Sequence, residues 1–90
     1  MEPDACRIDV WLWRARFFKS RALSARFVEE GRGRRGRQGQ ETRLDKASRL
    51  VRPGDELVFA IGGRLVAVRI AETGERRGPA SEARKLYSPL

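Results

Sequence analysis

The first apolar positions recur at helical spacing. Ile8, Leu12 and Ala15 form a stripe, with Trp11 and Phe18 beside it, the three-to-four-residue recurrence of an amphipathic helix. Asp9 stands where an N-cap or first-turn acid accepts from free amides and complements the helix dipole, so a first helix is predicted over 9–18. Ser20 can cap a second helix over 21–30, whose apolar face is Leu23, Phe27 and Val28 with Ala22 and Ala25. Gly31 is a natural residue to close it, because glycine enters the left-handed conformation at little cost.

The period then changes to two. DELVFAI (55–61) places Leu57, Phe59 and Ile61 on one face, and RLVAVRI (64–70) does the same with Val66, Val68 and Ile70. Gly62-Gly63 between them is a two-residue hairpin turn, and Pro53-Gly54 is a turn before the first strand. Short extended pieces are expected within 33–51, where the alternation is weak. Residues 76–78 form a loop, and Pro79 suits the first position of a last short helix with Ala80, Ala83, Leu86 and Tyr87 inward. The order is two helices, three to four strands and a short helix, an α+β fold. There are no internal repeats.

Ninety residues suffice for one domain with one modest core. Twenty Lys and Arg against twelve Asp and Glu leave a net charge of +8, which favours a polyanionic partner: nucleic acid first, an anionic membrane surface second. No apolar run is long enough to span a bilayer, MEPDAC does not read as a signal sequence, and the single Cys6 excludes an internal disulfide and suits a reducing, cytoplasmic compartment. The chain has no histidine, which removes His-based acid–base catalysis and His-containing metal sites. Carboxylates are scattered and hydroxyls lack a base. The expectation is therefore a non-enzymatic protein with no cofactor and no metal.

Residues 31–36 read GRGRRG, the G-x-G-x-x-G spacing of a dinucleotide-binding loop. That loop follows a strand and opens a helix; here the glycines close a helix, and no Lys-Ser or Lys-Thr follows Gly36 to make a P-loop. The surrounding charge suggests another use. Arg14, Arg16, Lys19, Arg21 and Arg26 lie on the two helices and their connection, and Arg32, Arg34, Arg35, Arg37 and Lys46 follow. A hairpin of two helices can gather most of the first set on one surface, and an arginine fork pairs with phosphate oxygens. The plainer reading is a solvated charged face. Of the aromatics, Trp11 and Phe18 suit the core, Trp13 and Phe17 can cover the last helix, and one of the four could stack on a base.

Several stretches resemble a known family. Arg7-Ile8-Asp9, Trp11-Leu12-Trp13, Ala15-Arg16-Phe17 and Lys19-Ser20-Arg21-Ala22-Leu23-Ser24-Ala25 are similar to the opening of an S4-type RNA-binding domain. Asp45-Lys46-Ala47-Ser48-Arg49, Arg52-Pro53-Gly54-Asp55 and the ending Arg76-Arg77-Gly78-Pro79-Ala80-Ser81-Glu82-Ala83 with Leu86-Tyr87 narrow the resemblance to the small ribosome-associated heat shock protein 15 family, over about residues 7–87. The resemblance implies an S4-like fold of two packed helices against a small bent antiparallel sheet at 7–72, a C-terminal extension with a short helix at 73–90, and a flexible tail at 1–6. It implies binding of structured RNA, association with the large ribosomal subunit through rRNA, and preference for a particle still carrying peptidyl-tRNA after premature subunit separation, which the protein would help to rescue. By motif position Arg7, Arg16, Lys19, Ser20 and Arg21 would contact RNA, and Asp9 would cap and orient. A monomer that binds no membrane is expected. Two alternatives remain: a general DNA or RNA chaperone, and an accessory RNA-binding subunit of an RNA-modifying enzyme.

The chain departs from that family pattern twice. Val10 stands where a lysine is frequent, and Arg14 can replace the lost contact. Gly33 and Arg35 occupy the places of an alternating apolar pair, Gly36-Arg37 those of Asn-Gly, and about two residues are inserted before Asp45. Glycine and arginine bury little apolar area, so residues 31–40 are expected to be a mobile, arginine-rich RNA-facing loop ordered on binding. The rival expectation is a regular strand held by backbone pairing alone.

Overall fold

A computed structural model describes residues 4–90. The elements in order are β1 (Cys6–Arg7), α1 (Ile8–Arg14), α2 (Arg21–Glu29), β2 (Gly33–Arg37), β3 (Gln40–Leu44), β4 (Leu50–Val51), β5 (Glu56–Ile61), β6 (Arg64–Ile70), α3 (Ala80–Ala83), a 3-10 turn (Arg84–Leu86) and β7 (Tyr87–Pro89). β1 and β4 form a two-stranded ribbon, and the other strands form an antiparallel sheet in the order β3-β2-β5-β6-β7. This is the expected α+β architecture.

The two helices lie on one face of that sheet because their apolar residues have nowhere else to go. Ile8, Trp11 and Leu12 of α1 and Phe27 and Val28 of α2 pack with Leu57, Phe59, Val68 and Ile70. Trp11 is fully buried, and its indole N–H donates to the Glu72 carbonyl at 2.9 Å, so the ring fills the core without leaving a polar atom unmet. Phe17 meets Phe59 edge-on at 5.2 Å and also touches Tyr87. The predicted β5–β6 hairpin is present with Gly62 and Gly63 both at positive φ. In the turn before it, the Asp55 amide donates to the Arg52 carbonyl at 3.1 Å and Gly54 has φ +94°.

Helix α1 is shorter than the periodicity suggests. It ends at Arg14, the Arg16 amide donates to the Trp13 carbonyl and the Phe17 amide to the Leu12 carbonyl. That pair of bonds is a Schellman closure, and it puts Arg16 at φ +66°. No glycine marks this stop, because Arg16 occupies the left-handed position at a strain of about 1–2 kcal/mol. Helix α2 starts as predicted: Ser20 Oγ accepts from the Leu23 amide, and Gly31 follows the helix at φ +74°. Its buried side is Ser24, Phe27 and Val28, while Ala22 and Leu23 are exposed.

Three further expectations are corrected. Cys6 is not part of a tail but pairs with Val51 in the ribbon; residues 1–3 lie outside the described residues. Tyr87 leaves the last helix for β7, where it pairs with Ile70, and Ala80 is exposed; Pro89 disguises β7, yet proline is tolerated on an edge strand. The segment 31–40 is not a loop. β2 is an interior strand paired with β3 on one side and β5 on the other, and Gln38 and Gly39, at φ +51° and +80°, make the tight turn into β3. The rival expectation of a strand held by backbone pairing is closer, although side chains add to it.

Candidate nucleic-acid interface

The basic residues divide by what they already hold. Arg7 forms a two-point bond with Asp9, Nε to Oδ1 and Nη2 to Oδ2, both at 3.0 Å. Asp9 is buried and its Oδ1 also accepts from the Val10 amide, so this acid orients Arg7 from the first turn of α1. Arg14 is a tie within the fold: its Nη1 donates to the carbonyls of Thr73 and Gly74. It is half-buried and lies outside the set of unpaired surface cations. Arg16 is exposed, but its Nε donates to the Gly78 carbonyl at 2.7 Å, fixing the C-terminal segment against the end of α1.

Around the start of α2 the charges are unengaged. Lys19, Arg21 and Arg26 are exposed and make no ion pair among the described residues, and Ser20 caps the helix. Their like charges stay in solvent on and beside one short helix, as a polyanion's partner requires. Arg32 and Arg34 instead reach Glu30 and Glu41, each at 3.4 Å on the surface. Such exposed pairs contribute at most about 1 kcal/mol each and can exchange a carboxylate for a phosphate.

Strand β2 carries its arginines on both faces. Gly33, Arg35 and Arg37 point to the side of the core, and Arg34 points away. Gly33 lies beneath the helices, 3.6 Å from Phe59 Cβ by the position a Cβ would take. Beyond it the same face turns polar. Arg37 holds both oxygens of the buried Asp55 at 2.7 Å, and Asp55 Oδ2 accepts from the Arg52 amide as well. The bond with Asp55 raises the Arg37 pKa above its ordinary value. Arg35 donates to the Leu50 carbonyl at 2.9 Å. Burial lowers its pKa, and the neighbouring charge of Arg37 and Arg49 lowers it further against the pull of Asp55.

Arg35, Arg37, Lys46, Ser48, Arg49 and Leu50 line one open groove. The structure therefore separates the residues expected to bind RNA into an α2 set (Lys19, Ser20, Arg21, Arg26) and a groove set (Arg35, Arg37, Lys46). Arg7, Arg14, Arg16, Arg32 and Arg34 all have protein partners. Ser48 and Arg49 stand in the family motif Asp45-Lys46-Ala47-Ser48-Arg49, but sequence reasoning named only Lys46 of that motif as an RNA contact; the structure places all three on one groove. No group of acids and thiols among the described residues could hold a metal ion, and no helix among them is long and apolar enough to cross a membrane.

No protein-family model matches the chain. It is 38% identical over 81 residues to Heat shock protein 15 of Escherichia coli strain K12, covering 90% of this chain and 57% of that protein. It is 32% identical over 87 residues to the Heat shock protein 15 homolog of Haemophilus influenzae, covering 97% and 63%. The chain thus spans less than two thirds of the length of these relatives. The trimeric structure of Vibrio cholerae Heat Shock Protein 15 superposes with a TM-score of 0.82 at 32% identity, covering 96% of this chain and 82% of that one.

Proposed function

Because the chain belongs to the heat shock protein 15 family, we propose that it is a non-enzymatic RNA-binding protein that docks on the large ribosomal subunit through rRNA. In this reading it favours particles that carry peptidyl-tRNA and supports their rescue under stress. One observation carries the proposal: Lys19, Arg21 and Arg26, on and beside α2, are exposed cations without a carboxylate partner among the described residues. An unneutralised surface of this kind gains affinity by releasing counterions from a phosphate backbone. The helix pair is a rigid base for it, since α1 and α2 are locked into the core by Trp11, Leu12, Phe27 and Val28.

The test is cosedimentation of the protein with small subunits, empty large subunits and large subunits bearing peptidyl-tRNA, at near-physiological salt. Selective recovery with the peptidyl-tRNA particle is expected, and Arg21→Ala should weaken it without unfolding the protein. Equal recovery with all three particles and with duplex DNA, lost together as salt rises, would replace this reading with a general nucleic-acid binder. The proposed unit is a monomer on RNA, and light scattering with and without rRNA checks it against a trimer.

A further inference from the structure

The groove beside β4 has a chemistry distinct from the α2 surface. Arg35 and Arg37 come from β2, and Lys46, Ser48 and Arg49 from the turn that leads into β4. Their relative position is fixed by backbone bonds: the Arg49 amide donates to the Lys46 carbonyl, and the amides of Ile8 and Asp9 donate to the carbonyls of Arg49 and Ala47. The groove is therefore anchored to the first turn of α1 and to the middle of the sheet. Only one of its four cations is neutralised. Asp55 is engaged through both oxygens by Arg37, whereas Arg35, Lys46 and Arg49 have no carboxylate partner among the described residues.

The lining also says what does not fit. It contains no aromatic ring and no free acid, and Leu50 is its one apolar side chain. A nucleobase would find no aromatic ring to stack on, and a cation would be repelled. The open groove offers about 450 Å³, room for more than a single ion. An anion with several oxygens at successive positions would meet two guanidinium forks, an ammonium and a hydroxyl, all donors suited to phosphate. Burial, and after it the charges of Arg37 and Arg49, hold down the Arg35 pKa, and such an anion would offset the repulsion among these cations.

We propose that this groove is a second RNA-contact site, separate from the α2 surface, which holds backbone phosphodiesters of a bound strand and reads no bases. It rests on the RNA-binding reading above. Together the two sites make contact with RNA at two places on one small domain, which favours a folded RNA over a flexible single strand.

The test uses the full chain and isolated large-subunit rRNA, with affinity measured across a series of KCl concentrations. Lys46 and Arg49 are exposed and unpaired among the described residues, so the double variant Lys46→Ala/Arg49→Ala should fold normally, as its circular dichroism and melting curve will show. It is expected to bind about tenfold more weakly and to reduce the slope of log affinity against log salt by roughly 1.5–2, one phosphate per lost cation. An unchanged slope in this variant, with a reduced slope in Lys19→Ala/Arg21→Ala, overturns the groove and leaves the RNA reading intact. Failure of the wild-type chain to bind rRNA at all overturns both. Inorganic pyrophosphate, titrated into isotope-labelled protein, separates the two sources of phosphate. Weak, unsaturated shifts at Ser48 and Arg49 fit an RNA backbone site, whereas saturation below millimolar concentration identifies a free-phosphate site and overturns the assignment to RNA.

Discussion

The two long hairpins of the sheet are neighbours built on opposite principles. β5–β6 is held by what its side chains bury: Leu57, Phe59, Val68 and Ile70 are nearly inaccessible to solvent. β2–β3 has one buried apolar side chain, Leu44. It is held by backbone pairing on both edges of β2, with Gly33 opposite Phe59 on one side and Leu44 on the other, and by the Arg37–Asp55 bond. A strand fixed through its backbone does not need its side chains for packing. The first hairpin thus supplies the core, and the second presents arginines at fixed positions.

Each mechanism can be broken separately. The largest effect is expected in the apolar hairpin, where Phe59→Ala removes a ring in contact with Phe17 and Phe27 and should cost about 3–5 kcal/mol by chemical denaturation. Asp55→Ala attacks the polar hairpin. It leaves the Arg37 guanidinium and the Arg52 amide without their acceptor, at about 2–3 kcal/mol because Arg37 retains some solvent. Gly33→Ala works in the opposite sense. The residue has a negative φ, and a Cβ there would be in ordinary contact with Phe59 and Leu44. It also borders a small void between β2 and the helices, so the substitution should stabilise by about 0.5–1 kcal/mol. A loss of stability instead would mean that β2 is not seated as described.

The smallest effect separates a paired β1 from a free tail. Burial pushes the Cys6 thiol above its ordinary pKa, Arg14 works against this and Asp9 with it. Less thiolate is present at neutral pH, and iodoacetamide should label Cys6 more slowly in the folded protein than in denaturant, with the rate rising only at higher pH. Equal rates in the two states would detach β1 from the fold.

The same contrast explains what could be read from the sequence. Period-two burial made β5–β6 legible, and helical spacing with the Ser20 cap made α2 legible. Backbone pairing leaves no periodic signature, so β2 looked like a loop, and Arg16 gave no sign that it would stop α1 in a left-handed turn. Of the candidate site, the charge and the motif around Lys19 and Arg21 were visible in advance. The division of the arginines was not, because it depends on partners distant in sequence: Asp55 for Arg37, Gly78 for Arg16, and Thr73 and Gly74 for Arg14.

The central claim is that β2 is a fixed platform before any RNA arrives. Amide hydrogen exchange of the free protein tests it most directly. The account predicts that the amides of residues 34–37 are protected in the absence of RNA, on a scale approaching that of β5. Exchange at the rate of an unstructured chain, slowed only when rRNA is added, would contradict it and restore a loop that folds on binding.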